Sequence, residues 1–181
     1  MKTLKISAVA LVSTLSLAAC DGDGGTIVGG LPRGQFEGEV SGVLDTSVRG
    51  QAESGYAFVQ GAHDVIVLTD FTEDVQVVIY DSEDDFREGR WTIEDENDFD
   101  GRVLAYVEDL RTGETFGSVS GTLDLGDVRS GGIEGRATFR AESDDSFGDF
   151  ITVDVDFSTT YRGDISLNRS PSLSRSPRRS N

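Results

Sequence analysis

The sequence predicts an all-β domain: a single antiparallel β-barrel or β-sandwich of about 8–10 short strands, preceded by a signal peptide and a flexible tether. Three observations carry this prediction. Apolar residues in the body recur with a period of two rather than 3.6. The apolar runs are short and are punctuated by Gly, Asp and Ser at a spacing of roughly 8–12 residues. No stretch of the body carries the continuous apolar stripe of an amphipathic helix.

The first element, residues 1–19, reads as a targeting segment. Lys2 and Lys5 give a positive start, the run from Ile6 to Leu17 is apolar and uncharged, and the small residues Ala18 and Ala19 close it. The run falls short of the roughly 20 apolar residues that a membrane-spanning helix needs. Leu17-Ala18-Ala19-Cys20 resembles the lipobox of bacterial lipoproteins. That resemblance implies cleavage after Ala19, lipidation of Cys20, and a chain held on a membrane of the bacterial cell envelope, facing the periplasm. Asp21 resembles the inner-membrane retention signal of enteric bacteria and hints at the inner membrane. The chemistry agrees. Cys20 is the only cysteine, so it has no partner for an internal disulfide in an oxidising compartment, and a thioether-linked lipid uses its sulfur. One acyl chain binds a membrane only marginally, so durable anchoring through Cys20 requires more than one.

Residues 20–34, rich in Gly with one Pro, are expected to form a flexible tether. The β-domain is expected over 35–165. Phe36, Val40 and Leu44 share a face, with Gly38 and Gly42 between them. VIVL (65–68) and VQVVIY (75–80) are dense β-branched runs joined hairpin-fashion by TDFTED. RWTI (90–93) and RVLAYV (102–107) follow, separated by the acidic loop EDENDFDG. Phe116, Val119, Leu123 and Leu125 mark the next strand, then Ile133, Ala137 and Phe139. Ile151, Val153, Val155, Phe157 and Tyr161 alternate with charged or polar residues to the end of the body. One wet face per sheet suits antiparallel pairing. Arg136, Arg140, Asp154 and Asp156 fall on outer faces, where opposite charges can pair across strands. The remaining 166–181, NRSPSLSRSPRRSN with its lead-in, is polar, basic and proline-interrupted, and is expected to be disordered.

GEVSGVLD (38–45) and GSVSGTLD (117–124) match at six of eight positions. Duplication predicts equivalent places in a pseudo-symmetric barrel; convergence on one turn grammar predicts none. The stretch VSGTLDL…GGIEGRATF…ITVDVDF is also similar to small uncharacterised bacterial lipoproteins, which implies an envelope-facing β-domain and no particular activity.

Beyond Cys20 there are 14 arginines and no lysine against 33 acids, a net charge of −19. Such a surface repels nucleic acid and anionic lipid headgroups, and it favours cations, basic partners or plain solubility in salt. The mature chain has one histidine, His63. Asp64 follows it, but neighbouring strand residues point to opposite faces, so no His–Asp dyad is implied. No G-x-S-x-G elbow occurs, and no catalytic residue is assigned. Trp91 reads as core, and its G-x-W triplet resembles the lipocalin signature but stands in mid-domain.

The candidate calcium ligands are Glu96, Asp98 and Asp100, at alternate positions before Gly101. The loop departs from the full calcium pattern, with Val107 where the twelfth-position Glu belongs. A solvated acidic loop is the competing reading.

The residues therefore predict a lipid-anchored envelope protein whose β-domain binds or supports, with a protein or glycan partner of unknown identity. Two other readings stay open. One is a carboxylate- or calcium-assisted hydrolase of envelope polysaccharide, and the other a lipocalin-like carrier of an apolar ligand. A filled interior, an open apolar one, or a cleft with converging carboxylates distinguishes the three.

Overall fold

The computed structural model describes residues 30–58, 62–83, 86–96, 102–129, 131–146 and 148–167. These form ten strands, with no helix among the described residues: β1 (Gln35–Gly42), β2 (Thr46–Phe58), β3 (Ala62–Asp70), β4 (Val75–Asp81), β5 (Gly89–Ile93), β6 (Val103–Asp109), β7 (Thr115–Arg129), β8 (Gly132–Ser143), β9 (Phe150–Ser158) and β10 (Thr160–Asp164). The all-β prediction holds.

The pairings close on themselves. Each of β1, β2, β3, β4, β6, β7, β8 and β9 pairs antiparallel with the next in that order, and β9 pairs with β1. The result is an up-and-down, barrel-like circuit, which removes the open edges of a flat sheet. β5 and β10 are wedges in it. β6 and β7 pair only over Tyr106–Glu108, after which β5 takes Gly121–Leu125 of β7. β1 pairs with β2 up to Gln51, and β10 then runs parallel to β2 from Glu53. Both wedges lie at the end that carries the connections after β2, β4, β7 and β9, so that end is flared. β5 and β6, although consecutive in the chain, do not pair as a hairpin. β5 lies antiparallel to β7 and meets β6 in parallel at Ile93 and Val103, because a wedge between antiparallel neighbours must run parallel to one of them.

The interior is filled. Phe36, Phe116, Phe139 and Phe157 are at most 2% exposed, and Ile66, Leu68, Ile79, Val153 and Leu123 join them in one cluster. A second cluster lies on the outer face of β3, β4 and β6, where Val65, Val67, Val78, Tyr80, Leu104 and Tyr106 are buried with Ile165 and Leu167 packed against them. This explains the dense runs VIVL, VQVVIY and RVLAYV: these strands are apolar on both faces because both faces are covered.

At the other end, one device recurs. Asp70, Asp109 and Ser143, the last residues of β3, β6 and β8, are buried. Each accepts hydrogen bonds from the N–H groups two and three residues on: Thr72 and Glu73, Arg111 and Thr112, Asp145 and Ser146. Side-chain oxygens thereby satisfy turn donors that would otherwise be unpaired. Part of the chain's acidity is thus turn chemistry.

The two similar octapeptides occupy different places. Residues 38–45 end β1 and enter its turn, whereas 117–124 lie inside β7, which runs the opposite way around the circuit. Convergence explains them.

The seam that closes the circuit is strained electrostatically. Glu37 stands opposite Asp156, and Glu39 opposite Asp154, and like charges directly across a ladder destabilise it. Arg136 offsets part of this by gripping Asp154 with two bonds of 2.9 and 2.7 Å; that grip holds Asp154 below the usual carboxylate range. Screening should relieve the remainder. The expected result is a thermal midpoint that rises between 10 mM and 0.5 M NaCl, with Glu37→Gln/Glu39→Gln gaining about 0.5 kcal/mol at low salt and little at high salt. Equal gains at both salt concentrations would refute the electrostatic origin.

Candidate functional site

Cys20, Asp98 and Asp100 lie outside the described residues, as do the signal segment and the chain from Asn168 onward. Glu96 is placed. Its backbone N–H donates to the Ser118 carbonyl at 2.8 Å, and its carboxylate folds back over Gly117, occupying space that a Cβ there would need. It therefore faces the barrel wall. Among the described residues no group of three or more His, Cys, Asp or Glu is placed to hold a metal ion.

His63 sits on β3 opposite Ala57, its ring 6.2 Å from that of Tyr80 and tilted by 39°. Asp64 points the other way, toward the flared end. The hydroxyls of Tyr80 and Tyr106 are pushed well above the ordinary tyrosine value, first by burial and then by nearby carboxylates, Glu96 for both and Glu108 for Tyr106. Both phenols therefore stay neutral near pH 7 and can act as donors, not bases. Trp91 departs from the core assignment. It is half-buried at the margin of the main cluster, its Nε1–H donates to the Arg87 carbonyl at 2.9 Å, and the Arg102 guanidinium lies 4.4 Å from its ring centroid. Among the described residues Arg140 is placed against a ring rather than an acid, 3.7 Å from the Phe150 ring centroid.

The flared mouth holds a cavity of about 350 Å³. Phe86, Val128 and Ile133 give it apolar walls, Ser54, Asp64 and Arg129 give it polar groups, and Tyr56 and Tyr161 stand at its rim. The local sequence explains each placement. β9 ends at Ser158, and Thr159 turns the chain. Its hydroxyl donates to Ser54 Oγ at 2.8 Å and accepts from the Ile133 N–H at 2.7 Å, while its own N–H donates to the Ile133 carbonyl at 2.8 Å. β10 then drops against β2. Gly55 permits this, since a Cβ there would collide with the Gly163 carbonyl. Tyr161 is brought beside Tyr56, with ring centroids 6.4 Å apart and planes at 89°.

Tyr161 thus leaves the alternation of Ile151, Val153, Val155 and Phe157 to which its spacing assigned it. It is 44% exposed, and Tyr56 is 42% exposed. Arg129 is braced by Asp127 at 2.8 Å. Sequence reasoning found neither tyrosine as a site residue. The available signal was an aromatic set among Ser, Gly and Thr, in ESGYAF and STTYRGD, where a core strand would alternate more strictly.

A second concavity, of about 570 Å³, lies on the outer wall along the closing seam, among Glu37, Glu39, Arg49, Asp154 and Asp156. It is strongly charged, with the Arg136–Asp154 ion pair and the β1–β9 register among its residues.

Compared with known proteins, the chain matches no family model, no curated protein and no solved structure.

Proposed function

We propose that this is a lipid-anchored protein of the bacterial cell envelope, held through Cys20, whose β-domain acts by binding at its flared mouth. The observation that carries the binding reading is the mouth cavity itself. At about 350 Å³ it falls in the size range of small-ligand sites, it combines apolar walls with a few polar groups, and it occupies the end of a barrel-like sheet, a common position for such sites. The filled interior supports a mouth-binding module over a carrier that encloses an apolar ligand. The lipobox supports the anchor and the envelope location, and Asp21 supports the inner membrane.

The anchor is tested by growing cells that express the chain with a radioactive fatty acid. Label should appear on the wild type and be lost completely in Cys20→Ser, which should also leave the membrane fraction. Equal labelling of both would overturn the assignment. Fractionation of inner and outer membranes then tests the role of Asp21.

A further inference from the structure

We infer that the rim of the mouth docks on the bilayer to which Cys20 anchors the chain, with the rings of Tyr56 and Tyr161 seated at headgroup level; this rests on the anchored, mouth-binding reading and names the surface that the rim meets. The route of the chain is the first observation. The described residues begin at the flared end, where β1 starts. The Gly34 N–H donates to the Ser158 carbonyl at 2.6 Å, and the Gly34 carbonyl accepts from the Ala52 N–H at 2.9 Å. The Arg33 guanidinium lies over Gly131, in space that a Cβ there would need. The Gly131 carbonyl in turn accepts the Tyr161 N–H at 3.1 Å. The entering segment and Tyr161 therefore share one corner of the mouth.

Chain length then decides which end faces lipid. Cys20 lies ten residues before Gly30, the first described residue, and a link of that length spans at most about 36 Å. β3 runs nine residues from the mouth to the far turns, about 30 Å along the strand and roughly 20–25 Å along the axis of a tilted barrel. The far end meets the bilayer only with the link drawn out over most of its length. The mouth meets it at any shorter span.

The rim has the chemistry of an interfacial contact. Four large hydrophobic residues are exposed among the described ones. Tyr56 and Tyr161 stand together at the mouth, 42% and 44% exposed, with ring centroids 6.4 Å apart. The other two, Val43 and Phe71, lie in turns at the far end. Tyrosine partitions to the headgroup level because its ring is apolar and its tip polar. The barrel below is filled by phenylalanine and aliphatic side chains, so no acyl chain enters and the contact stays shallow. Two half-exposed rings bind a bilayer weakly by themselves. The anchor makes their contact intramolecular, and a weak affinity then suffices to orient the domain. The acidity of the chain opposes anionic lipid, so zwitterionic headgroups are the suited surface.

The test uses the full chain, lipidated at Cys20 and reconstituted in phosphatidylcholine vesicles. Lipidation leaves no other thiol, so Arg33→Cys and Phe71→Cys, exposed positions at opposite ends, each carry a single fluorophore. Phospholipid bearing a headgroup-level spin label quenches whichever one lies near the bilayer. Quenching at position 33 should exceed that at 71 about threefold, and adding Tyr56→Ala/Tyr161→Ala should lower it about threefold with the thermal midpoint little changed. Tyr161→Asp alone should have the same effect. Quenching at 33 that the tyrosine changes leave intact reflects the nearness of the anchor alone, and it overturns the docking while the anchor stands. Equal or greater quenching at 71 also overturns it. Failure of the wild-type chain to float with the vesicles removes the anchor and the docking together.

Discussion

A Gly38→Val variant is expected to lose about 3 kcal/mol or more of unfolding free energy, read as a lower denaturant midpoint with an unchanged slope. Local propensity argues the opposite sign. Valine is among the best strand formers, and glycine inside a strand is ordinarily a weakness. The structure decides between them. Gly38 faces inward on β1, where β1 crosses β9 to close the circuit. A Cβ there would overlap the Asp154 carbonyl oxygen and stand 2.7 Å from Val155 Cα. Both obstacles are backbone, so no rotamer change relieves them. The strand must move, and it is the strand whose two pairings complete the ring. The Gly38→Ala change should already be destabilising, although the same substitution in an ordinary strand gains about 0.5–1 kcal/mol. Ser41→Val, on the exposed face of the same strand, is the control and should be neutral or slightly stabilising. A stable Gly38→Val protein would mean that β1 and β9 do not approach this closely in solution.

The same glycine shows why some strands were legible and others were not. β8 and β9 could be read because one face is wet and one is dry, so Ala137 and Phe139, or Val153 and Val155, alternate with charges. β2 was missed entirely, although at Thr46–Phe58 it is one of the longest strands. Its inward row is Val48, Gly50, Ala52 and Ser54. Small residues are needed there, since a Cβ at Gly50 would collide with the Thr69 carbonyl. Tight coiling removes the apolar bulk on which pattern reading depends. The candidate site failed to show for a different reason. Tyr56 and Tyr161 meet only because β10 pairs with β2 across more than half the chain. That parallel register depends on Thr159 turning the strand and on Gly55 admitting it, and neither leaves a periodic trace. Composition did anticipate the acidic turns, but not that Asp70 and Asp109 would be buried within them.

Asp70→Ala is expected to destabilise the domain by about 3 kcal/mol, lowering the thermal midpoint by roughly 10 °C. The carboxylate is 1% exposed and accepts three backbone N–H groups: Arg49 at 2.8 Å on one oxygen, Thr72 at 2.7 Å and Glu73 at 3.1 Å on the other. It thereby joins β2 to the β3–β4 turn. Alanine strands all three donors, and Arg49 N–H, within the sheet, is the hardest to return to water. Asp70→Asn separates charge from geometry. Its oxygen can still serve Thr72 and Glu73, while its amide meets the Arg49 N–H donor to donor, so about half the loss is expected. Burial alone would raise the Asp70 pKa, but the hydrogen bonds from Arg49, Thr72 and Glu73, aided by the Arg49 charge, outweigh it and hold the group below its ordinary value of 3.8. The direction fixes the pH dependence. A carboxylate more acidic in the folded state contributes its full stability above the unfolded-state value and loses it as pH falls through the lower, folded one. Wild-type stability should therefore decline below about pH 4, with Asp109, shifted the same way by its turn, contributing to the same fall. Asp70→Asn should have the shallower slope in that window and approach the wild type at its acid end. Parallel curves for the two proteins would show that the Asp70 charge is not what holds β2 to the turn.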